Sequence, residues 1–345
     1  MRAAVLRGKR DIAVETDRAE PELRPDEVRV AVSACGICGT DQHIYHGHPG
    51  SAAVHPPIVL GHEFAGVVTA VGSAVTGFAA GDRVSVDPNI YCGGCRYCRS
   101  GRPQLCDRLQ ALGVTRDGGM GESCAVPAAN CYRLPDEVGD VAGALVEPLG
   151  CVLHGFKKLD IRPDYTAVIV GGGFIGQLFL QLVRRQAGRV VVFEPAEGKR
   201  EQLLRLGADA VFRPDDDEAV RAWNGAADIV IECVGRRESM ELAFRTAGKG
   251  GQALLFGVSS PETEIAVSPF AVFSKELRIM GSFINPYTHE EAIALIRSRT
   301  VDVEGLVSHR FALEEVPEAM REYPRKNVTK GVIVFAAERA RESGR

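Results

Sequence analysis

No apolar run in this 345-residue chain reaches eighteen residues without a charge or a turn signal, so no membrane-spanning helix is expected. The N-terminus, MRAAVLRGKRDIAVE, has no long apolar core and no cleavage-like site, which argues against a secretory signal. Neither sign of charge is in excess: 41 Lys and Arg stand against 45 Asp and Glu, a formal net charge of -4. The basic residues are interspersed with acids and form no stripe, so nucleic acid is not an expected partner. What remains is an ordinary soluble composition, 45% apolar and 25% charged. The expectation is a cytoplasmic protein of two domains. The tail AAERARESGR is polar and reads as a frayed or tag-like end.

Cysteine, by contrast, is plentiful. There are ten, yet a secreted disulfide scaffold would be far smaller and more cysteine-dense. Four of them, Cys92, Cys95, Cys98 and Cys106, form one run, C-G-G-C-R-Y-C-x7-C. That spacing lets four thiolates converge on one tetrahedral metal, zinc above all. Gly93 and Gly94 let the loop wrap so that amides face the sulfurs. An iron–sulfur run would favour a different last spacing and a following proline. Cys124, Cys131, Cys151 and Cys233 lie in apolar surroundings and read as small buried hydrophobes.

Along the chain the style changes near residue 148. Before it, EVRVAVSACG, FAGVVTAVG and DRVSVDP read as strands between turn signals, a barrel-like β domain. A lobe at 88–120 lacks periodicity, and a structural metal would supply the core it lacks. After residue 148, short apolar runs alternate with helical segments, which predicts an open parallel sheet with helices on both faces, a Rossmann-type domain over 149–284. HEEAIALIRSR and LEEVPEAMREY then read as amphipathic helices and KGVIVF as a closing strand; pattern alone assigns them to neither domain.

Gly171, Gly173 and Gly176 form G-x-G-x-x-G between the run AVIV and the helical LFLQLVRR, the context this motif requires. Gly171 allows the tight turn, Gly173 admits a pyrophosphate, and Gly176 allows close helix packing. Amides at the helix start, Phe174 and Ile175, face the phosphate charge. Gly172 reads as a turn glycine with no direct role. Glu194 ends the second strand, eighteen residues past Gly176. A carboxylate there accepts from the adenosine ribose hydroxyls and repels a 2′-phosphate, which favours NAD over NADP. Lys199 and Arg200 pull the other way, since cations accommodate a phosphate.

A second set of metal-ligand types is dispersed: Cys38 in ACGICGTD, His62 and Glu63 in IVLGHEFAG, and Glu147 in LVEPLG. Mixed N, S and O ligands with an open position are how catalytic zinc is held. Composition does not choose between Cys38 and Cys35. Asp41 is placed to hold the His62 imidazole. Thr40 could take a proton from a substrate hydroxyl and pass it to His43 and solvent. His43 reads equally as a surface histidine, and Glu147 as an acid at a domain boundary.

GICGTD, GHEFAGVV, the cysteine run, EPLG and GGGFIG occur in an order and at spacings that resemble the zinc-dependent medium-chain alcohol dehydrogenases, over essentially the whole chain. The resemblance is closest to the sorbitol-like polyol and threonine dehydrogenase branch. It implies a GroES-like, mainly β catalytic domain (1–148 and 285–345) into which the Rossmann domain (149–284) is inserted. It selects Cys38 over Cys35, makes His62 the second ligand and matches Glu147 to a branch-specific glutamate. Glu63 matches an acid that supports the ligands or enters the metal shell, Thr40 and His43 a proton relay, and Asp41 the partner of the ligand histidine. Two zincs per chain, NAD and a homodimer or homotetramer follow from it.

The implied reaction is reversible, NAD-linked oxidation of a secondary alcohol, foremost a polyol or sugar alcohol. L-threonine, another amino alcohol or a cyclitol is the alternative substrate, and a non-catalytic NAD(P)-binding protein the remote one. Tyr45, Glu63, Arg297 and Arg299 are the candidates for contacting a polyol, each arginine reading also as part of a solvated helix face. The segments LLFGV and ELRIMGSF are the candidate sheet edges for self-association.

Overall fold

The computed structural model describes residues 1–323 and 328–335, so the polar tail lies outside the described residues. The chain divides into two compact units, Met1–Gly150 with Ile284–Arg345, and Cys151–Phe283. Among the described residues, no helix is long and apolar enough to cross a membrane.

The first unit is built on the strand Glu27–Ile37, EVRVAVSACGI. Its valines suit a pleated surface, and this strand is buried on both faces along most of its length. It pairs antiparallel with Glu63–Val71, Ser123–Pro127 and Gly331–Val334. A register shift between Val32 and Ala34 sets Gly36 opposite Glu63, two residues before Cys38. The closing strand Gly331–Val334 therefore belongs to this sheet, and it pairs Gly331 with Ile37. Val28, Val30, Ile37, Leu60, Phe64 and Met120 are among the residues of its apolar core. The lobe at 88–120 holds short pieces: the two-residue strands Asn89–Ile90 and Gln110–Ala111, a four-residue helix, Arg96–Arg99, and a single 3-10 turn, Pro103–Leu105.

A buried polar network fixes the base of this lobe to the segment that opens at Ile284. Asp87 accepts from the Asn89 backbone (3.0 Å) and side chain (3.1 Å), and Asn89 donates onward to Asn285 (2.7 Å). Ser85 donates to the Gly143 carbonyl (2.7 Å), so its oxygen accepts from His289 Nε2 (2.8 Å). That assigns the proton to Nε2 and leaves Nδ1 buried without a partner. Burial pushes His289 down to about 3 and Asp87 up to about 6.

These two shifts act on stability in opposite directions. A carboxyl raised in the fold contributes stability at low pH, which is lost as pH rises through the folded value. A histidine lowered in the fold loses stability as pH falls through its ordinary value. Asp87→Asn isolates the first effect. Relative to the parent, it gains about 1–2 kcal/mol between pH 5 and pH 7.5 in urea unfolding. A pH-independent difference would refute the assignment.

The second unit is a six-stranded parallel sheet. Its spatial order is Ala210–Phe212, Arg189–Phe193, Thr166–Val170, Ala227–Glu232, Ala247–Leu255, Arg278–Gly281. The near-continuous apolar strands, such as TAVIV and RVVVF, are what a sheet covered on both faces requires. Chain order reverses between Thr166–Val170 and Ala227–Glu232, the switch point of a doubly wound sheet. Of the two candidate edges, LLFGV lies inside the sheet, whereas ELRIMGSF supplies its outer strand.

Candidate active site

The dinucleotide-type turn follows Thr166–Val170 directly. Gly171 has φ +102, a conformation that glycine alone adopts without strain. A Cβ on Gly176 would fall 1.8 Å from the Gly171 carbonyl oxygen, so only glycine lets the helix Phe174–Val183 pack this closely. Around a Cβ built on Gly173 there is nothing within 4 Å. That open cradle lies at a helix N-terminus, whose first-turn amides carry partial positive charge, and it fits a pyrophosphate.

Glu194 is buried, and its two oxygens are fixed by backbone donors, Gly172 N at 2.7 Å and Ala196 N at 2.9 Å. Gly172 is thus more than a spacer, contrary to the sequence expectation. Its amide orients Glu194, and a Cβ there would meet Leu203 at 2.6 Å and Glu194 at 3.2 Å. The spacing pattern carries no signal for this, because the contact is between two strand ends. Arg200 is exposed and Lys199 half-buried.

In the lobe, the sulfurs of Cys92, Cys95, Cys98 and Cys106 lie within 4.8 Å of one another. Backbone amides point at them: Cys98 N at Cys95, and Cys92 N and Arg108 N at Cys106. Gly93, at φ +68, turns the loop. Amides of Gly94 and Cys95 pull the Cys92 thiol down to about 6, while burial among the other sulfurs pushes Cys98 up to about 12. Four convergent thiols with amide donors are the donor set of a closed tetrahedral zinc site.

The dispersed set converges in part. Cys38, His62 and Glu63 offer ligand atoms within 4.8 Å of one another. Cys38 directly follows the long strand and caps the helix Gly39–Tyr45. Asp41 is fully buried; one oxygen accepts from Cys38 N (2.8 Å) and the other stands 3.4 Å from His62 Nδ1. A buried carboxylate beside Nδ1 is the kind of partner a ligand histidine takes. Burial alone would lower the His62 pKa, but Asp41 and the Cys38 thiol outweigh it and raise it well above the ordinary value. Soft thiolate, imidazole and carboxylate together fit zinc.

The structure brings Glu63, rather than Glu147, into this set. Glu63 follows His62 directly, and its carboxylate lies over Gly36, where a Cβ would be 2.0 Å from Oε2. Lys330, also buried, donates to Glu63 and to the Ile37 carbonyl (3.1 Å). No motif pointed to Lys330; the register of Gly331–Val334 beside Ile37 delivers it. Glu147 is buried in the first turn of the helix Val146–Phe156, outside the set.

Thr40 and His43, three residues apart on Gly39–Tyr45, share a helix face and are both half-buried. Partial burial and the neighbouring His48 and His46 lower the His43 pKa. Three substrate candidates are corrected. Tyr45 is packed into the apolar core. Arg297 is exposed and paired with Glu137 at 2.9 Å, and Arg299 is exposed after the same helix. Their helix turns its apolar stripe, Ala292, Ile293 and Ile296, inward, which leaves the arginines to solvent. Cys124 and Cys131 are buried as expected, but Cys151 and Cys233 are only half-buried.

Comparison with known proteins agrees with this geometry. Residues 24–136 match the alcohol dehydrogenase GroES-like domain, and 175–298 the zinc-binding dehydrogenase domain. D-altritol 5-dehydrogenase of Agrobacterium fabrum is 35% identical over 94% of this chain and 97% of its own. D-arabinitol dehydrogenase 1 of Uromyces fabae is 31% identical over 87% of each. A zinc-binding dehydrogenase from Sinorhizobium meliloti 1021, solved bound to NADP, superposes with TM-score 0.91 and 37% identity, covering 96% of this chain and 98% of that one. The GroES-like β unit, the doubly wound cofactor sheet and these relatives together place the chain in the zinc-dependent medium-chain alcohol dehydrogenase family, in its polyol dehydrogenase branch.

Proposed function

We propose that this enzyme oxidises a secondary hydroxyl of a polyol or sugar alcohol to the ketone, reversibly, with NAD as the preferred cofactor. The thiolate, imidazole and carboxylate gathered at Cys38, His62 and Glu63 carry the reading. Relatives named for D-altritol and D-arabinitol support the substrate class. Cys38 and His62 would hold the catalytic zinc with a carboxylate, Glu63 by its place in the set and Glu147 as the alternative. The four lobe cysteines would hold a second, structural zinc.

Zinc supplies a Lewis acid that acidifies an alcohol, and the nicotinamide supplies the hydride acceptor. The remaining work falls to side chains. Asp41 fixes the tautomer and orientation of His62. Thr40 takes the substrate hydroxyl proton, and His43, neutral at pH 7 because its pKa is lowered, receives it and releases it to solvent. Gly173 and the first helical turn seat the pyrophosphate, and Glu194 receives the adenosine ribose.

A panel of polyols, threonine and simple secondary alcohols, read by NADH absorbance, tests the substrate class. Turnover is expected with polyols above the others. Turnover of threonine with none on any polyol would overturn the reading.

Self-association belongs to the same proposal. The outer strand Arg278–Gly281 carries Ile279 at 41% exposure, and the preceding helix Pro269–Lys275 presents Phe270 and Phe273 at 74% and 78%. An apolar, unpaired edge of this kind suits a second copy of the chain. Sedimentation velocity should give a dimer or tetramer, and a monomer at micromolar concentration would sink the idea.

A further inference from the structure

Glu232 ends the strand Ala227–Glu232, across the switch point from the glycine turn, in register with Val170. It is fully buried. Its Oε1 accepts from Val234 N and Gly235 N, both at 2.8 Å. Its backbone carbonyl accepts from Phe256 N (2.9 Å) and Gly257 N (3.0 Å). One residue therefore fastens two loops at the carboxyl ends of adjacent strands. The loops are close: a Cβ on Gly257 would lie 2.2 Å from Gly235 N, and one on Gly235 would lie 2.2 Å from the Val258 carbonyl oxygen.

The second oxygen, Oε2, is buried and has no hydrogen-bond partner. It faces Gly257, 2.7 Å from where a Cβ would be. Fastening the loops requires only the acceptor Oε1, which a neutral carboxamide also offers. An unpartnered buried carboxylate oxygen costs free energy in the fold, so fastening the loops alone does not account for a carboxylate here. The surroundings indicate a further role. Val234 covers Gly171, and Val234 and Val258 remain 40% and 60% exposed, an apolar surface on the ligand side of the sheet.

A doubly wound sheet holds one nucleotide on each half. Glu194 assigns the adenosine to the half containing Arg189–Phe193, so the nicotinamide belongs to the half that Glu232 opens. The oxidised nicotinamide carries a positive charge and the reduced one none. We propose that Glu232 is a positioning residue for the nicotinamide half, and that its charge favours the oxidised over the reduced cofactor. The inference rests on the dinucleotide reading of the glycine turn.

The experiment measures dissociation constants of NAD+, NADH and ADP-ribose by calorimetry on the full-length, zinc-loaded protein. Glu232→Gln keeps the acceptor and removes the charge. It should weaken NAD+ about fivefold to tenfold while leaving NADH and ADP-ribose within about twofold. A purely structural fastener would move NAD+ and NADH together, and equal shifts, or no shift, overturn the proposal. If Glu232→Gln does not fold, Glu232→Ala must still weaken NAD+ more than NADH and spare ADP-ribose, and equal weakening overturns the proposal there too. Failure of the parent to bind ADP-ribose would instead refute the dinucleotide reading.

Discussion

Cys38→Ala should lower the zinc content from two per chain to one and reduce turnover by about 10³–10⁴-fold, with the fold intact. The loss is large because few ligands are left. Without the thiolate, the close set retains His62 and Glu63, and Glu63 is already shared with Lys330. The fold should survive because Cys38 is half-buried, and the hydrogen bond that Asp41 accepts comes from its backbone N–H. Cys98→Ser is the complement: it should lose the other zinc and loosen the lobe at 88–120. Elemental analysis and thermal unfolding separate the two outcomes. The same assay decides between the carboxylates, since Glu63→Gln should lose catalytic zinc and Glu147→Gln should keep it. A parent protein with one zinc, or an active Cys38→Ala, would sink the two-metal account.

How much of this was legible in the sequence depends on how local each feature is. The four-cysteine run and G-x-G-x-x-G are contiguous, and local spacing fixes their geometry. The structure accordingly brings the four sulfurs together and gives Gly171 its positive φ. Cys38, His62 and Glu63 lie on two chain segments whose encounter depends on the register of Glu27–Ile37 against Glu63–Val71. A bulge sets that register, and no motif announced it. Lys330 comes from farther still, just before a strand whose sheet the pattern left open. Gly172 and Glu232 escaped for another reason. Each acts through hydrogen bonds between loops at the ends of parallel strands, and hydrophobic periodicity does not reach past the strand end. Arg297 and Arg299 carried two readings because charge alone does not tell a solvated helix face from a pocket wall, and their exposure favours the solvated face.

Glu194→Gln should change the ratio of kcat/KM for NAD to that for NADP by about 10²-fold, or ~2.7 kcal/mol, toward NADP. Gly172 N and Ala196 N hold the carboxylate of Glu194 from both sides, so it cannot swing away from an incoming ribose. A 2′-phosphate brought beside it would meet a fixed negative charge in a partly buried place, where screening by solvent is weak. The ribose hydroxyls of NAD donate to the same oxygens at no such cost. Glutamine keeps an acceptor for one backbone amide and removes the repulsion, and the nearby Lys199 and exposed Arg200 can then engage the phosphate. Glu194→Ala tests the structural side of the role. It also frees the Gly172 amide, so it should weaken NAD as well as admit NADP. Steady-state kinetics with both cofactors at matched concentrations reads both effects. A parent that prefers NADP, or a ratio unmoved in Glu194→Gln, would show that the specificity lies elsewhere, with Lys199 and Arg200 the first residues to replace.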